Sequence, residues 1–140
     1  ACLASLRAEL EAQLDAEATR LRTLRDRLFS RIVAGIDGIT LNGPPLTRGD
    51  RLPHNLNISV GNVDGGALLM GMRDVAVSSG SACASASLEP SHVLRAIGRS
   101  DELAHAALRF GLGRFTTEQE IDYAADETIR VVRELRSKRC

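Results

Sequence analysis

The sequence predicts an α/β (α+β) fold: a small mixed or antiparallel sheet covered by a long N-terminal helix and a C-terminal helix. Three observations carry this. A leucine stripe recurs at helical spacing through the first 34 residues, short alternating runs occupy the middle, and a capping signal opens a last periodic segment. At 140 residues the chain is expected to form one domain, 1–140, since domains commonly run roughly 100 to 200 residues.

Each element has a local reason. Leu3, Leu6, Leu10, Leu14, Leu21, Leu24, Leu28 and Ile32 fall three or four apart, with one gap bridged by Ala18, and predict a helix over 3–34 that Gly35 stops. No capping residue opens it, which points to a segment of a longer protein. Ile39 to Leu41 is a short strand running into the breakers Asn42-Gly43-Pro44-Pro45. Leu56, Ile58 and Val60 alternate with Asn57 and Ser59, the period-two pattern of a half-buried strand. Asp64 caps a short helix through Leu68, Leu69 and Met72, and Val75 to Val77 reads as another brief strand. Pro90 suits a first helical turn, with Val93, Leu94 and Ile97 as the buried face before Gly98; residues 101–106 supply one further turn. Ala107 to Leu112 is a strand with Leu108, Phe110 and Leu112 on one face and Arg109 on the other. Thr117 and Glu120 form a capping box for a final helix through Ile121, Ala125, Ile129, Val132 and Leu135.

Composition excludes several functions. Basic and acidic residues balance at 18 each and aromatics are 3%, so neither a steering field nor stacking surfaces mark a nucleic-acid or membrane binder. No apolar run nears the roughly 20 residues of a membrane span. Cys2, Cys83 and Cys140 form no CxxC pair, which argues against a disulfide framework or zinc site and for a reduced, cytoplasmic location. Of the 18 basic residues only Lys138 is lysine, in a polar tail, so the chain has no credible residue for a buried Schiff base.

Two positions stand out chemically. From Ser78 to Ser87 no side chain is larger than cysteine, so this stretch cannot anchor itself by apolar burial and is expected to be a mobile loop. Cys83 within it is a candidate reactive thiol, the plain alternative being a space-filling cysteine. Arg109, flanked by apolar residues and followed by Gly111 and Gly113, is a candidate carboxylate fork, the alternative being an exposed arginine on an edge strand. His54, His92 and His105 show no metal-ligand spacing and read as surface residues.

Residues 78–98, SSGSACASASLEPSHVLRAIG, resemble the active-site cysteine segment of the NifS/IscS-type cysteine desulfurases. The likeness continues through Asp101-Glu102-Leu103-Ala104-His105 and Leu108-Arg109-Phe110-Gly111-Leu112-Gly113-Arg114-Phe115-Thr116-Thr117-Glu118, and reaches back over Leu41-Asn42-Gly43 and Asn57-Ile58-Ser59. It is close over about 39–123 and weaker in the two terminal helices. The resemblance implies the C-terminal small domain of a type I pyridoxal phosphate (PLP) enzyme, with 1–35 as the helix connecting it to a larger preceding domain that carries the PLP lysine. It implies conversion of L-cysteine to L-alanine, with Cys83 the persulfide-forming nucleophile on a mobile loop over 78–87 and Arg109 the grip on the substrate carboxylate. Cys83 is also the candidate ligand of a transient iron–sulfur cluster. Implied partners are the PLP domain, an iron–sulfur scaffold or other sulfur acceptor, and a second copy in a homodimer. Alone the chain is expected to be inactive and to self-associate, in part through the leucine stripe. The alternative is a stand-alone persulfide carrier or scaffold-interaction module.

Overall fold

A computed structural model describes residues 2–79 and 90–138, with side chains from residue 13 onward. The first periodic segment is a single helix, α1 (Cys2–Gly35), 34 residues long. The capping box at Thr117 and Glu120 closes on both sides and opens α5 (Glu118–Ser137). At 1.5 Å per residue these span about 51 and about 30 Å. Leu21, Leu24, Leu28 and Ile32 of α1 are buried in one core with Ile121, Ala125, Val131 and Val132 of α5. Arg27 and Arg31 line the edge of this seam. Arg27 donates to both carboxylate oxygens of Asp122 (2.8 and 2.7 Å), and Arg31 donates to Asp126 (2.7 Å).

One face of a three-stranded antiparallel sheet packs on this helix pair: β1 (Ile39–Leu41), β2 (Asn55–Val60) and β3 (Ala107–Gly111), in the order β1-β2-β3. Thr40 stands opposite Ser59, and Asn57 opposite Arg109. Strand alternation puts Leu56, Ile58, Val60, Leu108 and Phe110 into the core with the helices. The other face carries Asn57, Ser59 and Arg109. Asp64 caps α2 (Gly65–Gly71) by accepting from the Ala67 amide. A side chain at Gly65 would run into the His105 carbonyl, so this close approach to the end of α4 (Asp101–His105) requires glycine. The third short helix, α3 (His92–Ala96), ends in a Schellman motif: Gly98, at φ +85°, donates to Arg95 O and Arg99 to Leu94 O.

Four expectations need correction. Val75 to Val77 is not a strand: the two valines are held by side-chain packing on the core, and pairing is limited to one bridge at Ser78. Val93 and Ile97 are exposed, because a helix of five residues offers one buried position, taken by Leu94 against Ala104 and Ala107. Ser59 is buried, since Asn42 covers it and donates to its hydroxyl (2.8 Å), so β2 is not simply half-buried. Leu14 is exposed, and among the described side chains the stripe enters the core only from Leu21 onward.

Candidate functional site

The outer face of the sheet carries one polar row drawn from five separated stretches of chain. It starts at Arg99, which the Schellman turn aims back at β1: its Nε donates to Asn42 Oδ1 and its Nη2 to Leu41 O, both 2.8 Å. Asn42, itself buried, donates through Nδ2 to Asn57 Oδ1 (2.8 Å). Asn57 faces Arg109 directly across the β2–β3 ladder. Arg109 Nε then donates to Ser78 Oγ (3.0 Å). Main-chain bonds close the same end of the row: Arg109 N donates to Ser78 O (2.8 Å) and Ser78 N to Arg109 O (3.1 Å).

Arg109 is exposed on this face, while Leu108 and Phe110 on either side are buried. Strand alternation alone produces that arrangement. The guanidinium has five N–H donors, and the bond to Ser78 occupies the one on Nε. Ser78 and Arg99 both lie in segments flanking 80–89, so each flank of that stretch is tied to the row. The C-terminal flank is further fixed by Arg95, which grips Asp101 in a fork (2.6 and 2.8 Å) and holds its carboxyl below the usual range, reinforced by the charges of Arg95 and His105.

Cys83 lies outside the described residues, as does all but the start of the loop expected over 78–87. His54, His92 and His105 are exposed, and no group of three or more His, Cys, Asp or Glu among the described residues is placed to hold a metal. Nor is any helix among them long and apolar enough to cross a membrane. A cavity of about 590 Å³, lined by Leu28, Val75, Phe110, Leu112, Ile121 and Tyr123 among others, opens on the core side of β3, away from Arg109. Sequence reasoning missed Asn42, Arg99 and Ser78 as site residues. Gly98 was the available signal for Arg99, since a helix-ending glycine sets the direction of the residue after it.

Comparison with known proteins bears on the family and the fold. Residues 1–124 match the model of the family described as aminotransferase class-V. The chain is 53% identical over 124 residues to the cysteine desulfurase IscS of Pseudomonas entomophila (strain L48), covering 89% of this chain and 30% of that protein. It is 55% identical over 120 residues to IscS of Pseudomonas aeruginosa (strain LESB58), covering 86% and 29%. The chain thus spans about a third of the length of these relatives. A NifS-like protein of known structure superposes with a TM-score of 0.69 at 27% identity, over 89% of this chain and 30% of the other. The X-ray structure of a NifS-like protein from Rickettsia africae ESF-5 gives 0.67 at 22% identity, over 83% and 29%, a likeness of fold. With a small antiparallel sheet packed on its two terminal helices, and a family match over most of its length, the chain belongs to the class-V aminotransferase family.

Proposed function

We propose that this chain is the C-terminal, sulfur-accepting domain of a PLP-dependent cysteine desulfurase, residues 1–140, with 1–35 as its connecting helix. In this reading Cys83 accepts sulfur from L-cysteine as a persulfide while Arg109 holds the substrate carboxylate, and L-alanine is released. The outer sulfur of the persulfide passes to a thiol of an iron–sulfur scaffold or another sulfur acceptor, regenerating the Cys83 thiol, and the working enzyme is a cytoplasmic homodimer. Cys83 as ligand to a transient cluster belongs to the same reading.

The residues present do not fit PLP itself. Forming the cofactor's imine takes a sheltered lysine amine, and Lys138, the C-terminal cap of α5, is two-thirds exposed with Nζ 2.7 Å from Glu134 Oε1. The other basic side chains are arginines, whose guanidinium does not deprotonate. No step of the cofactor's chemistry is therefore assigned to this chain. Its contribution is to receive sulfur and to hold a carboxylate.

The observation that carries the reading is the bridge between Ser78 and Arg109. Cys83 follows Ser78 by five residues. At roughly 3.4 Å per residue its Cα stays within about 17 Å of Ser78, so the thiol is tethered within reach of whatever Arg109 holds. A bidentate grip on the substrate and a thiol on a tether are the two parts that sulfur abstraction and delivery require.

The test uses the natural polypeptide that contains this chain, supplied with PLP and L-cysteine. Mass spectrometry should find a persulfide on Cys83, and Cys83→Ser should lose both the persulfide and alanine release under turnover. Arg109→Ala should raise KM for L-cysteine roughly a hundredfold, the size expected for losing charge-assisted bonds to a carboxylate. Alanine formed at the wild-type rate by the Cys83→Ser variant would end the proposal. So would turnover by the 140-residue chain alone.

A further inference from the structure

We infer that Ser78 is a positioning residue that fixes how Arg109 presents itself to a carboxylate. The inference rests on the reading of Arg109 given above and adds a direction to it. A guanidinium can hold a carboxylate side-on, through Nε–H and one Nη–H, or end-on, through one N–H from each Nη. In this fold Nε–H is donated to Ser78 Oγ at 3.0 Å. That closes the side-on edge and leaves the two Nη groups as the gripping pair.

Three observations make this arrangement more than a chance surface bond. The Ser78 and Arg109 main chains are joined in both directions, at 2.8 and 3.1 Å, so the hydroxyl is not free to drift from the Nε that it accepts. Arg109 rises from a strand whose neighbouring side chains, Leu108 and Phe110, are buried, which fixes its Cα and Cβ. Asn57, paired with Arg109 on the adjacent strand, has its Oδ1 engaged by Asn42 Nδ2, so the neighbouring position of the ladder is held in place as well. An arginine side chain has rotamer freedom to lose on binding, and a partner that restrains it beforehand lowers that loss. Ser78 is also the last paired residue before the stretch that holds Cys83. The residue that roots the sulfur acceptor therefore orients the carboxylate grip.

Ser78→Ala removes the acceptor and keeps the main-chain bridge, whereas Ser78→Thr keeps a hydroxyl. The first measurement needs no substrate. In the natural polypeptide labelled with 15N and kept without substrate, the Arg109 Nε–H signal should be protected from exchange with water. In Ser78→Ala it should exchange several-fold faster, and Ser78→Thr should restore the protection while thermal melting of all three proteins coincides. The second measurement is steady-state kinetics on the natural polypeptide. Ser78→Ala should raise KM for L-cysteine about tenfold with kcat within about twofold, the effect of losing one bond to a charged group, and Ser78→Thr should recover most of it. An Nε–H signal identical in wild type and Ser78→Ala overturns the inference. So does an unchanged KM in Ser78→Ala when Arg109→Ala raises it, which leaves the Arg109 reading intact. If KM is unmoved in Arg109→Ala as well, it is the Arg109 reading that fails. A fall in kcat alone would place Ser78 in the service of the thiol segment and also overturns the inference.

Discussion

Arginine is engaged in opposite ways in two regions of the molecule. Around the loop between β1 and β2, the guanidinium groups of Arg51 and Arg25 are buried and spent. Arg51 donates from Nε to Pro44 O (2.9 Å), from Nη1 to Asn55 O (3.5 Å) and from Nη2 to Asn42 O. Arg25, fully buried on α1, donates to Leu46 O (3.0 Å) and Leu52 O (3.4 Å) and to Asp26 Oδ1 (2.8 Å). Burial pushes the Arg51 guanidinium down from its ordinary range, and the neighbouring charge of Arg25 pushes the same way. At the β3 edge Arg109 is exposed and engages Ser78 through Nε. A guanidinium stabilises a loop when its donors meet carbonyls, and an exposed one with a single side-chain bond is the kind that the proposed carboxylate grip needs.

That contrast is open to measurement, and the largest effect belongs to the buried end. Arg51→Ala strips donors from the carbonyls of Pro44, Asn42 and Asn55 and should cost about 3 kcal/mol of stability by chemical denaturation, since each unsatisfied buried group costs ~1–3 kcal/mol. Relief of the repulsion with Arg25 offsets part of this. A loss below about 1 kcal/mol would show that water satisfies those carbonyls and that the loop is not held by Arg51.

An intermediate effect separates the loop from the helix seam. Arg51 meets neutral carbonyls, whereas α1 and α5 are joined by carboxylates. The hydrogen bond from Arg27 holds the Asp122 carboxyl below the usual range, helped by the charges of Arg27 and Arg31. A carboxyl whose pKa is lower folded than unfolded adds stability at pH values above its unfolded pKa, near 4, and that stability drains away as the pH falls through the folded value. The Tm should therefore drop below about pH 4. Asp122→Asn should flatten part of the drop while lowering Tm slightly at neutral pH. An identical acid limb in the variant would remove Asp122 from the account.

The smallest effect is expected at the exposed end. Arg109→Gln should move the Tm of the 140-residue chain by no more than about 2 °C, as for an exposed substitution that leaves the core untouched. A loss comparable with that of Arg51→Ala would show that Arg109 is a structural arginine after all, and the comparison would collapse.

Local signals in the sequence were read correctly where one stretch of chain decides the outcome. Gly35 ends α1, Asp64 caps α2, and Thr117 with Glu120 opens α5. The alternation of Leu56, Ile58 and Val60 gave the core face of β2, and Leu108 with Phe110 gave that of β3, leaving Arg109 outward. The errors came where a neighbour from elsewhere in the chain overrules the pattern. Ser59 looked like a solvent-facing residue until Asn42 covered it. Val93 and Ile97 followed helical spacing on a helix too short to bury them. Val75 and Val77 had strand-forming side chains but no ladder to join.

The sequence by itself determined the order and kind of the main elements, the scarcity of lysine, and the two groups on which the proposed chemistry rests, Cys83 and Arg109. Periodicity, caps and side-chain chemistry are properties of a few consecutive residues, and they survive without knowledge of the rest. Only the tertiary structure decided that Arg99, Asn42, Asn57, Arg109 and Ser78 form one row. That row depends on strand register and on the turn after α3. Shifting β2 by a single residue would send Asn57 to the core and break the row in its middle.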